Sequence, residues 1–177
     1  HLVIRRQRQM CIRDSVDELF DVLVKVGQHP KQKSDTVTVL EKIGHFLDEE
    51  NQTRFEALKA TGLDNQSISE RIADTLDMGE VLRRASVDFD GGYVMCGMAG
   101  HGDAFVMRDP NGIRPAFWYE DEDVVVAASE RPVIQTAFNV SADHVQEVPP
   151  GSALLIKQSG RTSVEEIRPK GERKACS

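Results

Sequence analysis

The chain has 177 residues, a formal net charge of −7 and 40% hydrophobic residues, enough for one domain with a real core. Three scattered cysteines exclude a disulfide framework, and no apolar run is long enough to span a membrane. The acidic balance excludes the usual nucleic-acid binder, which needs a basic surface.

Residues 1–15 stand apart. They are basic, lack an initiator Met and end in Met10-Cys11-Ile12-Arg13-Asp14-Ser15, which matches the translated end of a transposon used to prepare sequencing libraries. They are expected to be an artefact joined to a truncated gene; the alternative is a natural basic arm. Without their four Arg and one Asp, 18 basic and 28 acidic residues remain, a net charge of −10. No secretory leader pattern is visible, so the expected compartment is the cytoplasm.

Val16, Leu19, Phe20, Leu23 and Val24 have helical spacing, and Gly27 and Pro30 end that helix. Ser34 or Asp35 can cap a second helix, whose apolar face takes Val37, Leu40, Ile43, Gly44 and Leu47. The charged stretch 48–60 continues it, with Phe55 and Leu58 as its apolar contacts. Thr61-Gly62 and Asp64-Asn65 break the helix. Ser67-Ile68-Ser69-Glu70 has the form of a capping box, followed by Ile72 and Leu76. Val81, Leu82 and Ala85 mark a short fourth helix.

Strands are expected over 93–99, 104–107 and 124–128, the first two joined as a hairpin through Gly100-His101-Gly102-Asp103. Cys96, mid-strand between apolar neighbours, reads as a buried structural thiol. Asp109-Pro110-Asn111-Gly112 is a turn, since Pro110 presets φ and Asn111 or Gly112 can take φ > 0. Arg108 and Arg114 flank it, so two guanidinium groups are expected at one rim of the sheet. Ser129 can cap a helix with Pro132 in its first turn and Val133, Ile134, Ala137 and Phe138 facing the core. Three more strands are expected over 144–148, 152–157 and 162–167. The order predicts an α+β fold.

By itself, Arg108-Asp109-Pro110-Asn111-Gly112-Ile113-Arg114-Pro115 reads as a hairpin loop with charged edges. Placed after a Gly-Gly-Tyr strand and before Ala128-Ser129-Glu130, it resembles the class II glutamine amidotransferase domain of the amidophosphoribosyltransferases. The resemblance runs over about 16–177. Two departures are Ala116, where Leu is usual, and Arg131, where Ser is common.

The resemblance implies a fold of N-terminal-nucleophile hydrolase type, with two antiparallel sheets between helical layers, incomplete here. It implies a partial amidotransferase domain over 16–170, with 171–177 beginning the junction to an absent phosphoribosyltransferase domain. In such enzymes an N-terminal Cys attacks the side-chain amide of glutamine, its α-amino group serving as base. An Asn side chain and a Gly N–H hold the oxyanion. Ammonia then displaces pyrophosphate from phosphoribosyl pyrophosphate, giving phosphoribosylamine for purine synthesis.

None of Cys11, Cys96 or Cys176 fits the nucleophile, so no catalytic residue is assigned and the chain alone is expected to be inactive. The Asn-Gly pair is expected just before Val16. Asp35, in Ser34-Asp35-Thr36, matches the element that binds the α-amino group of glutamine; read alone it is a helix cap. Arg108, Asp109, Asn111, Gly112 and Arg114 are expected to be structural. No metal site is assigned in this chain: the histidines show no ligand spacing, and Mg²⁺ is expected in the absent domain. Whether an iron–sulfur cluster is present, as in some members that use a Cys near the junction, is left open, since Cys176 has no partner cysteines beside it. The expected partners are glutamine and, through the absent domain, phosphoribosyl pyrophosphate, with a homo-oligomer for the full-length protein and neither nucleic acid nor membrane. Two other readings stay open: the glutaminase half of another synthetase, and a non-catalytic binding module.

Overall fold

The computed structural model describes residues 16–25, 27–28 and 34–171, the side chains of Val16 and Asp35 excepted. Residues 1–15, Pro30, Cys11 and Cys176, with the readings made on them, lie outside the described residues. The chain divides into two compact units, His1–Asp90 and Gly91–Ser177.

The described part of the first unit is helical. Helix α1 (Val16–Lys25) gives way at Gly27, which takes a positive φ of 84°. Helix α2 (Asp35–Lys59) runs 25 residues without interruption, and Ser34 caps it by accepting from the Val37 amide at 3.3 Å. Helices α3 (Asn65–Thr75) and α4 (Met78–Ala85) complete the unit, and α1, α3 and α4 all pack against α2. Leu19, Leu23, Val39, Ile68, Leu76, Val81 and Leu82 form its core. The α3 cap differs from expectation. Asp64, not Ser67, accepts from the amides of Gln66 and Ser67, so the helix begins one turn before the box pattern. Leu40 is 67% exposed rather than on the buried face; Thr38, Val39 and Lys42 take the buried positions.

The second unit holds two antiparallel sheets. The first has the order β1 (Val94–Met98), β2 (Ala104–Arg108), β6 (Ser152–Ile156), β7 (Thr162–Glu166). The second has the order β4 (Val125–Ala128), β3 (Phe117–Glu120), β5 (Gln146–Glu147). Val106 and Leu154 from the first sheet meet Ala116, Trp118 and Val148 in one buried cluster, which Val125 and Ala127 also border. That cluster is the filling of a two-layer sandwich. The central strand β2 is buried on both faces, with Phe105, Val106 and Met107 at most 7% exposed. The α+β class expected from the order of elements, and the two antiparallel sheets that the resemblance implies, are observed.

Several details correct the sequence reading. Phe117–Glu120 is a strand, although it was not expected to be one. The stretch 144–148 is a single 3₁₀ turn (Ala142–His144) followed by the two-residue β5. Helix α5 (Arg131–Phe138) has Glu130 at its N-cap, without a side-chain cap bond, in place of Ser129. Only Ile134 of α5 is buried; Val133 and Phe138 are 56% and 38% exposed. Cys96 is exposed, because β1 is an edge strand with one neighbour among the described residues.

Candidate functional site

The best-ordered polar construction in the second unit is the turn after β2. The Asp109 amide donates to the Tyr93 carbonyl at 2.9 Å, extending the β1–β2 ladder by one step. The chain then reverses, with the Gly112 amide returning to the Asp109 carbonyl at 3.2 Å and Gly112 at φ 65°. Asp109 is fully buried, and its carboxylate accepts from three backbone amides. Oδ1 takes Asn111 at 3.1 Å and Ile113 at 3.0 Å; Oδ2 takes Arg114 at 3.1 Å. This is an Asx turn extended over six residues, 109–114, and it explains why Asp stands there.

Arg108 departs from the expected pair of rim guanidiniums. It is 2% exposed, whereas Arg114 is exposed. Its Nε donates to the Arg114 carbonyl at 2.6 Å and Nη2 to Gly112 at 3.2 Å. Nη1 donates to Glu147 at 2.6 Å and to the Val148 carbonyl at 2.8 Å. A guanidinium presents five donors in a rigid fork, and here the fork closes the turn and joins β2 of one sheet to β5 of the other. Glu147 neutralises the buried charge. The turn is fastened on its other side by Gly151, whose amide donates to the Asp109 carbonyl at 3.0 Å, and by Gly171, whose amide donates to Pro110 at 2.8 Å. Tyr93 is buried beside it; burial, and then the Asp109 charge, push its phenol well above the usual range.

A cleft of about 490 Å³ opens beside this turn, walled by Arg108, Ile113, Pro115, Phe117, Glu147 and the start of α5. Glu130, Arg131 and Pro132 supply that last wall. The Arg131 guanidinium carbon sits 4.9 Å from the Phe117 ring centre, a cation–π stack. Its buried Nε has no hydrogen-bond partner among the described residues. Sequence reading missed this cleft, because its walls come from four segments. The aromatic run Phe117-Trp118-Tyr119 was the available signal for the strand that floors it.

A second buried carboxylate, Asp103, lies at the β1–β2 connection. Lys157 donates to it at 2.5 Å and the Gln158 amide at 2.9 Å, with His101 Nε2 at 3.1 Å. Burial works against its charge, but the bonds from Lys157 and Gln158, with the His101 ring close by, prevail and hold it below the usual carboxylate range. It ties the β1–β2 turn to the β6–β7 turn.

The described residues do not assemble a nucleophile with a base. Cys96 is exposed, and partial burial raises its thiol pKa. Ser141 Oγ lies 2.7 Å from His144 Nδ1, and Asp143 lies 3.8 Å from that same nitrogen. A triad needs Ser and Asp on opposite ring nitrogens, so this is a turn contact. Among the described residues no group of three or more His, Cys, Asp or Glu is placed to hold a metal ion. None of the described helices is long and apolar enough to cross a membrane. The Asp35 carboxylate lies outside the described residues; its backbone opens α2 in the first unit, while Arg108, Asp109, Asn111, Gly112 and Arg114 lie together in the second.

No family model matches the chain, and no curated protein does. Solved structures do. The chain is similar to the glutamine phosphoribosylpyrophosphate amidotransferase of B. subtilis, solved with ADP and GMP, at 21% identity and a TM-score of 0.59. That match covers 92% of this chain and 29% of the other. A second match, described as the allosteric regulatory enzyme of purine biosynthesis, has 22% identity and a TM-score of 0.45 over 72% of this chain and 28% of the other. The chain thus spans less than a third of the length of each, and what it shares with the B. subtilis enzyme is the fold.

Proposed function

We propose that the chain is part of a glutamine amidotransferase acting in purine synthesis. The observation that carries this reading is the fold likeness, over 92% of the chain, to a phosphoribosylpyrophosphate amidotransferase. The octet 108–115 supports it. In this reading Asp35 binds the α-ammonium of glutamine by a charge-assisted bond. A Cys and an Asn-Gly pair encoded upstream of Val16 supply the nucleophile and the oxyanion donors. The thiolate attacks the side-chain amide, ammonia leaves, and water hydrolyses the thioester to glutamate. Ammonia passes to a phosphoribosyltransferase domain following residue 171, where it displaces pyrophosphate from phosphoribosyl pyrophosphate with Mg²⁺ present. The full-length enzyme is then a cytoplasmic homo-oligomer, and residues 1–15 are foreign to it.

The role of the Arg108–Asp109 turn is to hold the two sheets in register. The test is the gene's longer reading frame, expressed and assayed for glutamine-dependent release of pyrophosphate from phosphoribosyl pyrophosphate. Activity is expected, and Asp35→Asn should raise the KM for glutamine while leaving the rate with free ammonia unchanged. A longer product that consumes glutamine without phosphoribosyl pyrophosphate would favour the glutaminase half of another synthetase. A product that does neither would favour the non-catalytic module.

A further inference from the structure

The outer edge of β1 carries a row of unused backbone groups. The Tyr93 carbonyl accepts from the Asp109 amide at 2.9 Å, and the Ala99 amide donates to the Asp103 carbonyl at 2.7 Å. With the register running from Val94↔Arg108 to Met98↔Ala104, these two bonds fix the alternation of the ladder: residues 93, 95, 97 and 99 bond to β2. The N–H and C=O groups of Val94, Cys96 and Met98 therefore point away from the sheet, and no strand among the described residues lies beside them. The side chains of these three residues share the face on which Val106, the cross-strand partner of Cys96, enters the cluster between the sheets. Val94 borders that cluster, but Cys96 is exposed and Met98 is 78% exposed.

This edge is also unguarded. An open edge invites another strand, and charged side chains are a common deterrent. Edge strand β7 carries Glu165 and Glu166, and edge strand β5 carries Glu147. Strand β4 is uncharged, but none of its residues is exposed. Only β1, Val-Met-Cys-Gly-Met, combines exposed residues with no charge among the described edges. In a chain of net charge −7, it is the edge at which two copies can meet without setting like charges opposite one another.

We infer that β1 pairs antiparallel with β1 of a second copy, about a two-fold axis at Cys96. Val94 then faces the partner's Met98, and Cys96 faces the partner's Cys96. Every outward residue of one strand meets an outward residue of the other, so each pair can exchange both backbone bonds. A shift to either side leaves one of the three beyond the end of the partner strand. The two four-stranded sheets become one, and the exposed Cys96 and Met98 side chains are covered by their counterparts. The paired segment is short, so the dimer belongs to the weak, small-interface class.

The inference does not depend on the amidotransferase reading, and its test reads no activity, so its failure leaves that reading untouched. Sedimentation velocity of the 177-residue chain under reducing conditions, from about 10 µM to about 1 mM, should show a monomer–dimer equilibrium. In amide exchange followed by NMR, the Val94, Cys96 and Met98 amides should exchange freely in the dilute monomer and become protected at high concentration, while those of Met95 and Gly97 are protected throughout. Cys96→Glu and Cys96→Lys, changes at an exposed position, each set like charges directly opposite across the axis and should weaken the dimer by about fivefold. A one-to-one mixture of the two variants should recover the association, because the facing charges then attract. A chain that stays monomeric up to about 1 mM would overturn the inference. So would protection of the Val94, Cys96 and Met98 amides in the dilute monomer, which would seat another segment of the same chain on this edge. Dimers formed equally well by wild type, by each variant and by their mixture would place the contact on another surface and overturn it as well.

Discussion

Asp109→Ala removes one carboxylate and leaves three backbone amides, those of Asn111, Ile113 and Arg114, without their acceptor. The residue is fully buried, so water cannot replace the lost bonds without opening the turn. A bond to a charged acceptor contributes about 1.5–3 kcal/mol net, and bonds sharing one carboxylate overlap rather than add. We therefore expect a loss of about 3–5 kcal/mol. Asp109→Asn separates the acceptor from the charge. Its one carbonyl oxygen can keep the two amides now on Oδ1, but its amide nitrogen then meets the Arg114 N–H donor to donor. That variant should lose about 1–3 kcal/mol. Urea unfolding followed by Trp118 fluorescence is the assay, since Trp118 is the single tryptophan and lies in the core between the sheets. An Asp109→Ala protein within about 1 kcal/mol of wild type, or an Asn variant no better than Ala, would refute the turn's assigned role.

Other outcomes follow from the same geometry. Gly151→Ala should cost at least about 2 kcal/mol, because φ is +74° and a Cβ would press on the Arg168 carbonyl; thermal unfolding measures it. Lys42→Met should stay within about 1 kcal/mol of wild type, since Lys42 is 4% exposed and methionine fills a similar volume, while Asp88→Ala, which strands the buried ammonium 2.8 Å away, should cost more in the same urea series. Asp103 has its folded pKa below the unfolded value, so its stabilisation is full above the unfolded pKa and is lost as pH falls through the folded one; Asp103→Asn should flatten the acid limb of a stability-against-pH curve. In a background with Cys11 and Cys176 replaced by serine, Cys96 should alkylate in the folded state, but more slowly at neutral pH than a free thiol, because partial burial raises its pKa; mass spectrometry reads the rate.

The strongly patterned parts of this chain were legible. The helices of the first unit fall where their caps and breakers put them, although the buried face of α2 is not the expected one, and the β1–β2 hairpin and the Asp109 turn follow their glycine, proline and Asx signals. What escaped depends on contacts distant in sequence. Nothing local to Arg108 shows that Glu147 waits 39 residues on, so a buried bridge between two sheets looked like a rim charge. Asp64 and Ser67 are both good caps, and the one placed earlier won the start of α3. Cys96 sits among apolar neighbours, but only the strand order reveals that β1 is an edge among the described residues. The motif at 108–115 pointed to the amidotransferase fold, which the structural likeness bears out. The role of Asp35 rests on resemblance alone.

Sequencing the locus in both directions across Val16 decides whether this chain is a segment of a longer glutamine amidotransferase. The expected result is an upstream frame, contiguous with Val16, that encodes a Cys immediately after the initiator or a processing site and an Asn-Gly pair shortly before Val16. A locus in which residues 1–15 are native and contiguous with Val16 would contradict it, leave the chain without a nucleophile, and favour a binding module.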